Sequence, residues 1–431
     1  MKDSISKGII LPYRSSYASP IFCVPKAKKD PLATEAEEAT KYRVVVDLRQ
    51  CNKATVDEQY PSPSCSEVFD SLTSGMKVFS SHDLSGAFFQ CNVSKDLYPY
   101  LAFMTHGIDV PETKVEQADG TLLHTKAGHY TQWTYARMPM GAQWSPKCFQ
   151  ASVDRTLHRH CGSLVGTYIH AFVDDLLVST ESYEHHVVVL DALYTSLAAD
   201  GWTLSRSKTQ LFSRAVQFLG LVVSCENDEN ETRLYGDASK VQVVLDLPEP
   251  TDVTGLRGFL GCCNYYRTFI KGYSQIADPL VQLTKKGTIV RDAWGPEHTK
   301  AFNALKHALA TAGAVTPFDP RRETVIQIDA CRTGAGACLM QVYDEHLRPC
   351  SFWSKSYREK SWEWKGSDAP ETGVGSNRPA QILELRAIIE SMLYFRRYLD
   401  GSTFGLRILS DHSSLTSLKS MAARGMFTTQ I

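Results

Sequence analysis

Two adjacent carboxylates, Asp174 and Asp175, lie between β-branched and apolar runs at 167–173 and 176–179. Such runs on both sides predict a β-hairpin. Asp is common in turns, so the dipeptide alone says little about chemistry. Two carboxylates at an apolar turn, however, repel each other unless a cation lies between them. The context therefore favours a cation site at this hairpin.

Asp83 ends a further apolar β run at 78–83 and could supply a third ligand from a neighbouring strand. Mg²⁺ prefers carboxylate oxygens and keeps coordination sites for water and phosphates. Two such ions about 3.5–4 Å apart can activate a hydroxyl and stabilise a leaving pyrophosphate. Polymerase chemistry thus requires Asp83, Asp174 and Asp175 to converge.

A triphosphate substrate also needs cations, and Arg43 and Lys28 are candidates, together with the lysines at 26, 29 and 41. Arginine binds phosphate through two parallel hydrogen bonds, whereas lysine acts as a mobile point charge. For each lysine alone, a solvated surface strand is the simpler interpretation.

A second set of acids occupies the last third of the chain. Asp329 is predicted to end a strand, Glu384 to lie on the helix after it, and Asp411 to end the following strand. Singly, such acids are usually solvated, but as a set on an α/β scaffold they suit two-metal hydrolysis of a phosphodiester. Gly334 and Gly336 are predicted to relieve crowding where the chain turns back on the first strand.

Composition limits the class of protein. With 431 residues, 43% hydrophobic and 22% charged, the chain suggests about three globular domains at ~150 residues each, and it is neither disordered, collagen-like nor coiled-coil. Its net charge is 46 − 47 = −1. A polyanionic partner must therefore be held by local basic clusters or by metal ions.

The 12 cysteines show no CxxC spacing, and no run approaches the ~18 apolar residues of a membrane span. We therefore expect reduced thiols in an intracellular protein of the cytoplasm or nucleus, neither secreted nor membrane-bound. A zinc site at His185-His186 or Cys262-Cys263 is a weak alternative, because adjacent side chains diverge.

The elements that must position these acids follow from the pattern of apolar residues. We predict strands at 21–26, 42–47, 78–83, 216–223, 324–329 and 404–411, and helices at 183–199, 256–270 and 380–399. Ser145 is predicted to cap a helix that has Pro146 at its first position. The segments 31–39 and 107–129 are predicted to be polar loops or insertions.

Collinear segments from near residue 5 to near residue 418 resemble one family. They are Lys7-Gly8-Ile9-Ile10, Tyr17-Ala18-Ser19-Pro20, Tyr42 to Arg49, Asp83 to Gln90, Met138-Pro139-Met140-Gly141, Ser145 to Gln150, Phe172-Val173-Asp174-Asp175, Phe218-Leu219-Gly220, Gly258-Phe259-Leu260-Gly261, Asn264-Tyr265-Tyr266-Arg267, Ile328-Asp329-Ala330, Leu383-Glu384 and Ser410-Asp411-His412. Together they resemble the polymerase region of gypsy-type long-terminal-repeat retrotransposons, a reverse transcriptase followed by ribonuclease H.

The resemblance implies an α+β fold: a right-hand polymerase with fingers, palm and thumb, followed by an α/β ribonuclease H-like domain. It implies fingers and palm at 1–225, thumb or connection at 226–316, and the ribonuclease H-like domain at 317–431. We expect that last domain to be incomplete, because the segment from Ser413 to Ile431 contains no acid to serve as a fourth ligand. The oligomeric state is not indicated.

The same resemblance implies roles for individual residues. Asp83, Asp174 and Asp175 would be the polymerase metal ligands, and the ring of Phe88 would exclude ribonucleotides. Met140 and Gly141 would line the nucleotide pocket, with Arg43 over the phosphates, and Phe218, Leu219 and Gly220 would form the primer grip. Asp329, Glu384 and Asp411 would be the ribonuclease H metal ligands. The implied cofactor is Mg²⁺ or Mn²⁺. The implied partners are an RNA or DNA template–primer and deoxynucleoside triphosphates.

Two positions depart from the family pattern, which commonly has Tyr where Phe172 stands and Phe where Met140 stands. Both changes keep the bulk of the side chain. The alternative to an enzyme is a catalytically inactive retroelement remnant that acts at most as a nucleic-acid-binding protein. All six expected acidic positions are filled, which favours the enzyme.

Overall fold

The computed structural model describes residues 1–25, 42–56, 60–116, 122–225, 231–357, 380–400 and 402–410. Lys28, Asp411 and the acidic segment 31–39 lie outside these residues, and the side chain of Arg43 is also not described. No helix in the described ranges combines the length and apolarity needed to cross a membrane.

The α-helices of the described residues are α1 Lys2–Ser6, α2 Arg49–Ala54, α3 Cys65–Asp70, α4 Ser145–Cys161, α5 Tyr183–Ala199, α6 Ala238–Leu245, α7 Val253–Tyr265, α8 Tyr273–Leu283, α9 Val290–Ala293, α10 Pro296–Ala310 and α11 Ala380–Leu399.

The strands of the described residues are β1 Ile10–Pro12, β2 Ile21–Pro25, β3 Tyr42–Val46, β4 Val78–Asp83, β5 Ala102–Val110, β6 Thr113–Glu116, β7 Leu122–Thr125, β8 Gly128–Tyr135, β9 Ile169–Phe172, β10 Asp175–Thr180, β11 Gln210–Ser213, β12 Ala215–Phe218, β13 Leu221–Ser224, β14 Arg233–Gly236, β15 Thr324–Cys331, β16 Gly334–Tyr343, β17 His346–Ser356 and β18 Leu406–Leu409.

The chain forms two compact units, and the first comprises Met1–Val68, Ser80–Ser179 and Tyr183–Phe212. Its central sheet has the strand order β11-β4-β10-β9. Helices α4 and α5 pack together, and their apolar residues join those of β9 and β10 in one core. Phe149 and Leu193 from the helices and Ile169 and Leu176 from the strands are fully buried in it.

The second unit comprises Phe69–Phe79, Thr180–Ser182 and the described residues from Ser213 onward. Strands β12, β13 and β14 form an antiparallel meander, and helices α6 to α10 follow it. The C-terminal sheet has the order β17-β16-β15-β18, in which β18 runs parallel to β15. Helix α11 packs on β15 and β16. The predicted division at 225/226 and 316/317 stays a prediction.

Several predicted elements are confirmed, including the β9–β10 hairpin, α5 and α11. Three predictions were wrong. The segment 107–129 is not a loop, because most of it extends the paired strands from β5 to β8. The single strand predicted at 216–223 is two strands joined by a turn at Leu219 and Gly220. Ser145 does not cap α4: its hydroxyl is buried and donates to the Pro139 carbonyl at 2.8 Å.

Candidate active sites

The first site lies at the ends of two neighbouring strands of the central sheet. Asp83 is the last residue of β4, and Asp175 is the first residue of β10. In the β9–β10 hairpin Asp175 pairs with Phe172, so Val173 and Asp174 form a two-residue turn. The amide of Leu84 donates to the Asp174 carbonyl at 2.9 Å, which joins the turn to the end of β4. The three acids thus share one edge of the sheet.

The turn carries a strained backbone. Val173 has φ 53°, in the left-handed region that costs a residue with a Cβ roughly 1–2 kcal/mol. The fully buried amide side chain of Gln150 holds it there, since its Oε1 accepts the Val173 N–H at 2.6 Å. Gln150 is oriented in turn by a 2.8 Å bond to Asp154. Strain retained at a β-branched residue is typical of a functional turn.

Lys208 is the cation of this site. Its ammonium donates to Asp83 Oδ1 at 2.7 Å. The hydrogen bond to Asp83 raises the lysine pKa, and the charges of Asp83, Asp174 and Asp175 raise it further, against a smaller effect of burial. One ammonium therefore interacts with all three predicted ligands.

The charge of this donor set suits a bound cation, because the Lys208 ammonium contacts Asp83 and is influenced by the charges of Asp174 and Asp175. No group of three or more His, Cys, Asp or Glu within the described residues is gathered closely enough to hold a metal. The role of Asp83, Asp174 and Asp175 as metal ligands therefore stays a prediction.

The predicted nucleotide-pocket residues lie in the same unit. Phe88 belongs to a short 3₁₀ turn, Ala87–Gln90, and its ring packs edge-on against Phe149 with centroids 5.2 Å apart. Met140 is 42% exposed, and Gly141 has φ 94° with open space where a Cβ would stand. Asn52 of α2 holds this loop by donating to the Gly141 carbonyl and accepting the Gln143 amide, each at 2.9 Å.

The predicted primer-grip residues lie in the second unit, on the β12–β13 hairpin. Phe218 is 3% exposed and packs edge-on against Phe69, so it belongs to the core. Leu219 and Gly220 form the turn, with φ of 47° and 83°. With Phe218 buried and both turn carbonyls accepting hydrogen bonds, the backbone amides are the part of the motif available to a ligand.

The second set of acids surrounds the edge of the C-terminal sheet. Glu384 of α11 is 4% exposed, and its carboxylate accepts the Ala330 amide at 3.2 Å and the Ser410 hydroxyl at 3.1 Å. Asp329 lies within β15 rather than at its end. Glu384 therefore contacts the neighbours of Asp329 and of Asp411, and Asp411 itself lies outside the described residues.

A cavity of about 410 Å³ opens beside this edge, lined by Lys271, Gln327, Ile328, Asp329, Leu409 and Ser410. Lys271 precedes α8, which docks on the same sheet: Gln275 donates to the Ala335 carbonyl at 3.0 Å. Gly334 is needed for this close approach, because a Cβ there would lie 2.6 Å from the Lys355 carbonyl and 2.8 Å from Gln275. The predicted role of Gly334 in relieving crowding is supported, whereas Gly336 has room for a Cβ.

The first unit also contains a largely apolar cavity of about 930 Å³. Its walls include Tyr17, Tyr60, Tyr100 and Trp144, together with Cys51 and Cys148, neither of which is in a disulfide. The hydroxyl of Tyr60 donates to Asp154 at 2.7 Å, and burial and this bond raise its pKa to about 12.

Sequence reasoning missed Lys208, Gln150 and Asn52. Lys208 stands 125 positions from its partner Asp83, and nothing in the local pattern marks it. Gln150 lies within the segment from Ser145 that resembles the family. A polar residue on the buried face of a predicted helix could have marked it as functional. The alternative zinc site is not supported within the described residues, since His186 bonds Ser80 instead and Cys262 is exposed while Cys263 is buried.

Comparison with known families matches two stretches of the chain. Residues 24–223 match the family described as "Reverse transcriptase (RNA-dependent DNA polymerase)". Residues 294–368 match the "RNase H-like domain found in reverse transcriptase". Domains of these two kinds generally use divalent metal ions.

Curated relatives extend the match along the whole chain. The Retrovirus-related Pol polyprotein from transposon 297 of Drosophila melanogaster is 28% identical over 99% of this chain and 34% of the relative. The corresponding polyprotein from transposon gypsy, also of Drosophila melanogaster, is 26% identical over 96% of this chain and 36% of the relative. The Transposon Tf2-3 polyprotein of Schizosaccharomyces pombe is 26% identical over 96% of this chain and 27% of the relative. The chain spans about a third of the length of such relatives.

Solved structures share the fold. A foamy viral protease–reverse transcriptase in complex with double-stranded DNA matches 98% of this chain and 77% of that chain, with a TM-score of 0.72 at 21% identity. A foamy viral protease–reverse transcriptase in complex with an RNA/DNA hybrid matches 98% of this chain and 48% of that chain, with a TM-score of 0.66 at 22% identity. The predicted α+β fold class is confirmed. Residues 24–223 thus match a reverse transcriptase and residues 294–368 a reverse-transcriptase-type RNase H-like domain, and the chain as a whole is similar to part of the Pol polyproteins of gypsy-type retrotransposons.

Proposed function

We propose that the chain is an RNA-directed DNA polymerase that extends a primer on an RNA or DNA template from deoxynucleoside triphosphates. The observation that carries the proposal is the placement of Asp83, Asp174 and Asp175 at one sheet edge around the Lys208 ammonium. Carboxylates kept together by a cation are suited to bind divalent metal and, through it, a triphosphate.

In this proposal Asp83, Asp174 and Asp175 would hold Mg²⁺ or Mn²⁺, which would supply Lewis-acid activation of the primer 3′-hydroxyl and positive charge for the leaving pyrophosphate. Gln150 fixes the turn that presents Asp174. Lys208, which is 64% exposed, pivots from Asp83 toward the phosphates of the nucleotide. Phe88 crowds the sugar at its 2′ carbon, and Asn52 holds the loop of Met140 and Gly141 that lines the nucleotide.

We further propose that the C-terminal sheet cleaves the RNA strand of an RNA–DNA hybrid at Asp329, Glu384 and Asp411. The contacts of Glu384 with Ala330 and Ser410 support this, because they bring a buried carboxylate to the strand that carries Asp329 and to the residue before Asp411. The absence of disulfides among the twelve cysteines supports an intracellular setting for both activities.

Primer extension on an RNA template with Mg²⁺ tests the polymerase. The wild-type chain is expected to extend the primer, and Asp174→Asn to reduce extension at least 1000-fold, because loss of a metal ligand removes several kcal/mol of transition-state stabilisation. Asp191→Asn, an exposed acid on α5, is the matched control and should extend like wild type.

Extension that survives Asp174→Asn would remove the metal assignment. Tight template–primer binding by the wild-type chain without nucleotide incorporation would instead identify it as a nucleic-acid-binding remnant.

A further inference from the structure

The turn at Leu219 and Gly220 has an unusual arrangement of backbone groups. Phe218 pairs with Leu221, so the hairpin loop is two residues long, and both have positive φ, 47° for Leu219 and 83° for Gly220. A two-residue hairpin of this kind normally selects Asn-Gly or Asp-Gly. Leucine at the first position is strained, so contacts from outside the hairpin must help to hold the turn.

Two consecutive tyrosines supply these contacts from the C-terminal end of α7. The Tyr265 hydroxyl donates to the Leu219 carbonyl, and the Tyr266 hydroxyl donates to the Gly220 carbonyl at 3.1 Å. Their rings meet edge to face at 5.0 Å, so each ring fixes the direction of the other. The Gly220 carbonyl also accepts the Asp237 amide at 3.4 Å.

These bonds decide which polar groups the turn presents. Both turn carbonyls are engaged by donors, whereas the amides of Leu219 and Gly220 donate to no residue that the structure describes. Lys240 of α6 lies beside them: a Cβ on Gly220 would stand 3.2 Å from its Nζ. Free amides beside an ammonium attract phosphate, while outward carbonyls would repel it.

We propose that Tyr265 and Tyr266 are positioning residues for the primer strand. They turn the two carbonyls of the primer-grip turn toward the protein, and the Leu219 and Gly220 amides with Lys240 then bind a phosphate of the primer. The inference rests on the proposed polymerase function, since it concerns how two tyrosines outside the predicted primer grip orient that turn.

The test compares Tyr265→Phe combined with Tyr266→Phe against Tyr273→Phe. Tyr273 is the matched control, because its hydroxyl also donates to a backbone carbonyl, that of Leu260 at 3.3 Å, away from the turn. In steady-state extension the double variant is expected to raise KM for the template–primer about tenfold while KM for the nucleotide stays unchanged, a size that two lost hydrogen bonds can account for. Tyr273→Phe should leave both KM values unchanged.

Salt dependence provides the second readout. Lys240→Ala should lower the slope of log affinity against log salt for the template–primer by about 0.9, the loss of one phosphate contact. Phenylalanine substitutions carry no charge change and should leave that slope intact while weakening the affinity. A double variant with wild-type KM for the template–primer, or one whose loss of activity merely follows a lower melting temperature, would overturn the inference.

The outcomes separate the two proposals. If the wild-type chain binds a fluorescent template–primer but does not extend it, the polymerase function fails, and the dissociation constant replaces KM in the same comparison. A tenfold weaker binding by the double variant then still supports the positioning role, and unchanged binding rejects it.

Discussion

The acids of the two candidate sites have different partners. Asp83 meets the charged ammonium of Lys208 at 2.7 Å, whereas Glu384 accepts from a backbone amide and from the hydroxyl of Ser410. Asp83 is thus paired directly with a cation of the chain, whereas at the second site Lys271 and Asp329 line the same cavity.

Phe88 is the residue whose removal should change sugar selectivity. We expect Phe88→Ala to raise the ratio of ribonucleotide to deoxynucleotide kcat/KM at least tenfold, because the ring no longer clashes with a 2′-hydroxyl. The ratio is measured by single-nucleotide extension with each nucleotide. Phe89→Ala is the control, since Phe89 stacks on Tyr135 instead of Phe149. An unchanged ratio in Phe88→Ala would reject the gate role.

Lys271 should matter for the nuclease and not for the polymerase. Its ammonium and Asp329 line the same cavity, so a phosphate of the RNA strand placed there would meet the lysine. Lys271→Ala is expected to raise KM for cleavage of an RNA–DNA hybrid about three- to tenfold, with Lys271→Arg close to wild type. Lys300→Ala, on α10, is the control. Equal cleavage by Lys271→Ala and wild type would exclude the contact.

At the scale of elements, the apolar pattern predicted whether a segment is a helix or a strand better than it predicted where one strand ends and the next begins. The run at 216–223 is apolar except for Gln217, so nothing but Gly220 marks the turn that breaks it, and Leu219 adopts a backbone that leucine rarely takes. The segment 107–129 lacks an apolar period because its strands pair with each other while many side chains stay exposed. The β9–β10 hairpin and α11 were predictable because their patterns are long and regular. Contacts such as that of Lys208 with Asp83 depend on how distant segments pack together, so they could not be predicted from the sequence pattern.

The central sheet and helix α5 carry three buried histidines, two on the strands and one on the helix, whose burial predicts acid sensitivity. His82, His170 and His186 are each at most 3% exposed, and burial lowers the pKa of each to about 4. The three histidines take up a proton near pH 6.5 in the unfolded chain but only near pH 4 in the folded chain. The stability of the fold with these histidines buried in the neutral form is therefore fully present above pH 6.5 and is lost as the pH falls toward 4.

Urea unfolding between pH 7 and pH 4 measures this effect. We expect the free energy of unfolding to decrease with falling pH, and His170→Gln to make that decrease shallower whatever its effect at pH 7. His158→Gln, on the exposed face of α4, should leave the slope unchanged. A wild-type stability that is flat across this range contradicts the prediction.

At the scale of the whole molecule, sequence order and compact units do not coincide. Residues 69–79 come from the N-terminal half but belong to the second unit, where the Ser74 hydroxyl donates to Asp319 at 3.2 Å. Asp70 accepts the Tyr398 hydroxyl at 2.5 Å and pairs with Arg397 at 3.2 Å. The C-terminal sheet and its helix are thus built together with a segment that lies over 240 positions earlier in the chain.

Asp70 should therefore be a stability residue for the C-terminal part of the chain. Asp70→Ala leaves the Tyr398 hydroxyl and the Arg397 guanidinium without their carboxylate and is expected to cost about 1–3 kcal/mol of unfolding free energy. Denaturant unfolding followed by limited proteolysis of the C-terminal region measures it. Asp400→Ala breaks an exposed pair with Arg396 and should cost less than about 0.5 kcal/mol. Equal costs for the two variants would contradict the assignment.

The 930 Å³ cavity of the first unit has a chemical consequence of its own. Because two of its wall residues, Cys51 and Cys148, are thiols, a hydrophobic electrophile such as a substituted acrylamide can first partition among the aromatic rings and then alkylate sulfur. Such a compound would attach covalently in a cavity whose lining contains no carboxylate, and so without chelating a metal.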